Sequence, residues 1–286
     1  MIIPVPLTQS NCTKTSNQGW RARLELGFEK HAGRTVLSRR RHEGPLLVQK
    51  PFYPEQSVCH VYLLHPPGGV VGGDQLEVRI DVASGAHALI TTPAAGKFYR
   101  SLGPLSVQRQ TIKLDGGSAE WLPQESILFP GCRAELTTQV MLSGDARFIG
   151  WEVVCLGRPA AGEPFSGGLF RPCLELWSEG APLLVERASL QGESAALSAP
   201  WGLAARPVWG TLVAFPATAE VLEVVRTSVR SAEPNLFSVT LLDKLLVCRF
   251  LGNTAEAARA CFASTWGVIR PMLIGRPACP PRIWQT

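Results

Sequence analysis

From residue 20 onward the chain alternates apolar and polar positions. Trp20, Ala22, Leu24, Leu26 and Phe28 take turns with Arg21, Arg23, Glu25 and Gly27, and Leu76, Val78, Ile80 and Val82 with Glu77, Arg79 and Asp81. A period of two sends successive side chains to opposite faces of a strand, so each of these strands has one apolar face. Further strand-like runs lie at Val58–Leu64, His87–Thr92, Val107–Leu114, Glu135–Leu142, Phe148–Leu156, Leu169–Trp177, Leu183–Leu190, Val208–Phe215, Phe237–Leu242 and Leu245–Phe250, separated by Gly, Pro, Asp or Ser. Many short, evenly spaced strands indicate a sandwich, a barrel or layered sheets.

Two segments change period. Thr218 can cap a helix from Ala219 to Val229, with Val221, Leu222, Val225 and Val229 along one stripe. Asn253 or Thr254 can cap a second, from Ala255 to about Ile269, with Ala258, Cys261, Phe262, Trp266 and Ile269 on one face and Pro271 near its end. Both stripes read as faces packed on a sheet. The expected fold is mainly β: one domain, residues 20–286, of many short strands in layered or helical-like sheets, with two helices near the C-terminus. Residues 1–19 are polar and read as a flexible arm.

Composition narrows the function. The 286 residues include 28 Lys+Arg and 23 Asp+Glu, a formal net charge of +5, with 45% apolar and 18% charged residues. That is too apolar and too weakly charged for a disordered chain. Three tyrosines and a modest positive charge argue against a nucleic-acid binder. The first residues carry no basic region ahead of an apolar stretch, and no run approaches about 18 apolar residues, so a cytoplasmic protein without a membrane span is expected. The eight cysteines form no C-x-x-C pair, which excludes a zinc finger or ribbon and a thioredoxin-type motif; Cys59, Cys155 and Cys248 read as small buried hydrophobes.

Four segments carry polar groups in unusual places. His65-Pro-Pro-Gly-Gly-Val-Val-Gly-Gly-Asp74 joins two strands, and its four glycines imply positive φ or close approach by another segment. It reads either as an elaborate connection or as a loop presenting Asp74 and His65 at a groove. In Thr91–Ser101, Lys97 and Arg100 flank two aromatics, a pattern suited to docking an acidic partner surface or to a solvated turn. Glu125 sits in the apolar run Trp121–Phe129 and must be paired, protonated or bound to a cation. Glu152 interrupts a strand that is apolar on both faces, and Glu163 follows the next turn. The two can face one channel, or Glu152 can pair with Arg158 or Arg171. No G-x-S-x-G, no H-E-x-x-H and no i, i+4 histidine pair is present, and His60 and His87 read as ordinary strand residues.

The strings HPPGGVVGGDQL (His65–Leu76), TTPAAGKFYRS (Thr91–Ser101), LPQESILFPG (Leu122–Gly131), GWEVVCLGRPAAGE (Gly150–Glu163) and RPMLIGRPACPPRIWQT (Arg270–Thr286) stand in the order of, and resemble, the motifs of the urease accessory protein D family, UreD, called UreH in some bacteria. The resemblance implies a largely β, right-handed helical-looking fold with a small helical part. It implies a cytoplasmic, non-catalytic chaperone of nickel insertion that binds apo-urease and UreF, meets the GTPase UreG through UreF, and passes nickel into urease through an internal tunnel. The alternative is a purely structural bridge of the urease activation complex with no ion-conducting role. A conduit must not trap its cargo. Thiolate and imidazole clusters bind nickel tightly, whereas spaced carboxylates, hydroxyls and carbonyls release it. By resemblance Asp74 and Glu152, and more weakly Glu163, are carried as lining of a transient nickel path, with no tightly bound cofactor and with the contact of Cys155 left open. Gly96 stands where relatives often have a small hydroxyl residue. A metal-dependent hydrolase built on His65 and Asp74 is the enzymatic alternative; it needs a third ligand that the sequence does not supply. The apolar tail Arg276–Thr286 is expected either to pack back or to dock UreF.

Overall fold

The computed structural model describes residues 19–229 and 234–285, so the expected arm over residues 1–19 lies, but for Gly19, outside the described residues. Eighteen strands run along the described chain. The first nine are β1 (Arg21–His31), β2 (Arg34–Glu43), β3 (Leu47–Val48), β4 (Cys59–Leu64), β5 (Gln75–Val82), β6 (His87–Thr91), β7 (Gly96–Phe98), β8 (Ser106–Asp115) and β9 (Ser118–Leu122). The others are β10 (Ser126–Leu128), β11 (Arg133–Ser143), β12 (Arg147–Leu156), β13 (Leu169–Ser178), β14 (Ala181–Arg187), β15 (Leu190–Gln191), β16 (Val208–Phe215), β17 (Leu236–Leu242) and β18 (Leu245–Gly252). The helices are the single turn α1 (Ala195–Ser198), α2 (Ala219–Ser228) and α3 (Ala255–Ile274). The fold is mainly β, as the alternation predicts.

Two sheets hold the strands. The first has the order β14-β13-β11-β8-β5-β1-β2, and the second β17-β18-β16-β12-β9-β6-β4-β3. From β4 to β13 the long strands fall alternately on the two sheets, and within each sheet they pair in parallel, β1-β5-β8-β11-β13 in one and β4-β6-β9-β12 in the other. The chain therefore winds as a coil, each turn adding one strand to each sheet. Successive turns are laced by backbone bonds, such as the Gly85 amide to the Gly116 carbonyl (3.2 Å) and the Gly116 amide to the Ser143 carbonyl (2.9 Å). Antiparallel neighbours, β2 at one end and β16, β18 and β17 at the other, complete the sheets.

The two sheets differ in what covers them, and the sequence differs accordingly. One core lies between them and includes Leu26, Ile80, Ile112 and Val140 from the first sheet and Ile90, Trp121, Phe148 and Val154 from the second. Another lies between the outer face of the second sheet and the helices, with Ile149, Trp151, Val153, Leu212 and Cys248 against Val221, Val225, Phe262, Trp266 and Ile269. The second sheet is buried on both faces, so its strands are nearly continuous in apolar residues. The first sheet turns its outer face to water, so its strands alternate.

Both late helices begin where expected: the Thr218 hydroxyl accepts from the Val221 amide at 3.5 Å and the Thr254 hydroxyl from the Ala257 amide at 3.2 Å. The second runs past Pro271 to Ile274 and ends on Gly275 in the left-handed region. Three other differences are physical. β2 carries no alternation because it is an edge strand with mostly exposed, charged positions. β9 gives little signal because it is five residues long and carries Glu120. The run Leu183–Leu190 is divided between β14 and β15.

Candidate functional site

The glycine loop is built by its glycines in two ways. Gly68 and Gly73 have φ of 77° and 94°, a region that other residues rarely enter. Gly69 and Gly72 instead permit close approach: a Cβ would lie 2.1 Å from the Tyr99 ring at the one and 2.2 Å from the Ser101 hydroxyl at the other. Asp74 closes the loop. Its Oδ1 accepts from the Trp20 amide at 2.8 Å and its Oδ2 from the Val71 amide at 2.9 Å.

Beneath this loop a cavity of about 310 Å³ runs inward from exposed Pro66, Gly68 and Gly96 to buried Val78, Trp121 and Leu136. Most of its wall is apolar. Its polar groups are His65, Thr92, Lys97, Gln108, Gln110, Gln124, Ser126 and Glu152. Burial holds the His65 imidazole below its ordinary pKa, with Asp74 opposing.

Glu152 faces inward between the sheets because its strand neighbours Phe148 and Val154 do, while Ile149, Trp151, Val153 and Cys155 face the helices. The residue stays partly accessible and is among those lining the cavity. Among the described residues no arginine pairs with it. Burial raises its pKa to about 7, opposed by a hydrogen bond with Thr138, and Oε1 has no hydrogen-bond partner among the described residues. Around it runs a polar row: the Thr138 hydroxyl donates to Gln110 Oε1 at 2.5 Å, Thr211 stands beside Glu152 in the strand register, and Arg249 donates to the Thr211 hydroxyl at 2.7 Å and pairs with Glu186. A separate void of about 10 Å³ is lined by Glu152, Thr138 and Thr211 among others.

The other predicted residues lie apart from this carboxylate. Asp74 is buried but serves the loop, and it is not among the residues lining the cavity. Glu163 sits at the surface and pairs with Arg158 at 3.1 Å, because Gly157 and Gly162, both at positive φ, fold the segment back so that Arg158 and Glu163 bridge each other. Thus neither Asp74 nor Glu163 meets Glu152. Glu125 forms an ion pair with Arg259 at 3.0 Å. The Cys155 thiol faces the helix side, with its pKa raised to about 11 by burial and then by Glu125. Among the described residues no group of three His, Cys, Asp or Glu is placed to hold a metal ion.

One polar cluster was not legible in the sequence. Arg270 of α3 bonds both Glu55 and Glu120, His60 bonds Glu55 at 2.8 Å, His87 bonds Glu120 at 2.7 Å, and the Trp266 indole donates to Glu120 at 2.5 Å. The partners are up to 215 positions apart, so spacing carries no signal for them. The tail packs back onto the same region. The Trp284 indole donates to the Thr91 hydroxyl at 3.1 Å, and its ring lies 5.6 Å from Trp151 and 5.7 Å from Trp266.

No helix among the described residues is long and apolar enough to cross a membrane. The model of the UreD urease accessory protein family matches residues 20–285. The urease accessory protein UreD of Citrobacter koseri is 46% identical over 276 residues, 96% of this chain and 94% of that protein. Its namesake from Klebsiella aerogenes is 45% identical over 272 residues, 94% of this chain and 98% of that protein. UreD 2 of Brucella anthropi is 46% identical over 271 residues, 94% and 99% of the two chains. With five motifs in order, a mainly β fold and matches of this extent, the chain belongs to the UreD family of urease accessory proteins, the maturation factors of urease.

Proposed function

We propose that this chain binds apo-urease and UreF, meets the GTPase UreG through UreF, and gives nickel an inner route to the urease active site in the cytoplasm. The chain performs no catalysis of its own. The observation that carries the reading is Glu152: a half-buried carboxylate lining a cavity, with no arginine partner and one oxygen without a hydrogen bond among the described residues. A carboxylate beside threonine and glutamine oxygens is a weak, hard site that a divalent cation can enter and leave. Three buried thiols stand off this route in inert form. Burial pushes the thiols of Cys155, Cys248 and Cys261 up, which keeps them protonated on the helix side of the sheet. Near neutral pH the Glu152 carboxyl is poised between its two forms, so an arriving cation displaces a proton rather than breaking a salt bridge.

The test is a Glu152→Gln chain co-expressed with urease and the other accessory proteins. The expected result is normal co-purification with apo-urease and UreF, and a several-fold fall in the nickel content of purified urease. The bridge-only reading has its own support, since Asp74 and Glu163 are both engaged in holding loops. It predicts normal nickel content in the same variant.

A further inference from the structure

Four large apolar side chains stand in water on or beside the glycine loop that covers the cavity. Leu102 is 92% exposed and Trp20 61%, with Val71 and Tyr99 also exposed. The loops that carry them are laced into one rim. Trp20 and Val71 both bond Asp74 through their amides, the Tyr99 amide bonds the Val70 carbonyl at 2.9 Å, and Ser101, next to Leu102, packs on Gly72. Tyr99 is braced edge-on by Phe129 at 4.8 Å, and Arg158 lies over Phe129 at 5.1 Å. Isolated exposed hydrophobes need no explanation, but a rigid aromatic and aliphatic group gathered on one rim marks an interaction surface.

The charge on this rim has one sign. Lys97 lines the cavity and Arg100 is exposed, and neither has a carboxylate partner among the described residues. The nearby acids are already committed, Asp74 to two amides and Glu163 to Arg158. We infer that the rim formed by Trp20, Val71, Tyr99, Leu102, Lys97 and Arg100 is the docking surface for a protein partner whose own face carries carboxylates among apolar side chains. The apolar centre supplies desolvated contact, and the two free cations steer and orient the partner.

The inference rests on the reading above only for who the partners are. Its test uses the full chain with apo-urease and with UreF, measuring the affinity of each complex at low and at high salt. Leu102→Asp changes a side chain standing almost wholly in water, so folding is untouched. It and the double variant Lys97→Glu/Arg100→Glu are each expected to weaken one of the two complexes roughly tenfold or more. The wild-type complex is expected to weaken with salt and that of the double variant to do so much less. Unchanged affinity for both partners would overturn the inference. So would a complex indifferent to salt, a wild-type chain that self-associates while Leu102→Asp is monomeric, or tighter partner binding on removal of residues 2–18, which would assign the rim to the chain's own start. Failure here is distinct from failure of the nickel path, which is read as nickel content in Glu152→Gln with this rim intact.

Discussion

Arg270 and Glu120 form an ion pair at 2.9 Å with both side chains wholly out of solvent. They are 150 positions apart and join α3 to the middle of the second sheet. Glu55 supplies a second carboxylate to the same guanidinium at 2.8 Å, and the Pro277 carbonyl accepts from it as well. One arginine thus fastens the helical layer, the coil and the C-terminal tail to one another.

Removing that cation leaves two buried carboxylates without it. Arg270→Met should therefore destabilise the chain by about 3–5 kcal/mol, the scale for breaking a buried pair from one side. Replacing both partners, as Arg270→Met with Glu120→Leu, should recover part of the loss. Thermal unfolding of the two variants beside wild type checks this.

Acid should act through the same cluster. Glu55 is lowered to about 2; burial opposes the shift, and hydrogen bonds and charge from His60 and Arg270 outweigh it. A lowered folded-state pKa gives stability that is present above the unfolded value of about 4.5 and is lost as pH falls toward 2. Glu55→Gln should flatten this limb, seen as a smaller change in unfolding midpoint between pH 5 and pH 2, by up to roughly 3 kcal/mol.

Glu152 should act in the opposite direction. Its folded-state pKa, about 7, lies above its ordinary 4.5, so its contribution is fully present below pH 4.5 and is lost as pH rises through 7. Glu152→Gln should leave stability nearly unchanged at pH 4 and raise it at pH 8, by at most about 3 kcal/mol. A destabilised variant at pH 8 would mean that the carboxylate is held by partners rather than facing an open cavity.

The tail belongs to the core. Trp284→Ala removes a ring between Trp151 and Trp266 and the bond to Thr91, and should cost about 2–4 kcal/mol. Loss of UreF binding on deleting Pro277–Thr286 therefore counts as loss of an interface only if unfolding midpoints show that the remaining chain keeps its fold.

The strands were legible because the two sheets bury their faces differently. Alternation marks the half-wet sheet at Leu76–Val82, and continuous apolar runs mark the doubly covered sheet at Phe148–Leu156. Glu152 was legible for the same reason, as a charge where both faces are covered. What the sequence did not carry was direction. Asp74 and Glu163 stand in loops, where period gives no face; two backbone amides engage the one and the Arg158 side chain the other. The Arg270 cluster and the row through Gln110, Thr138 and Thr211 depend on which strands the coil stacks, and no single strand records that.

The central claim is that cargo nickel touches the Glu152 carboxylate on its way to urease. It is tested most directly by counting nickel per active site in urease matured by three chains that differ only at residue 152: Glu, Asp and Gln. The account predicts full loading with Glu, partial recovery with Asp, and a several-fold deficit with Gln while all three chains co-purify with apo-urease. Equal nickel in all three would contradict it.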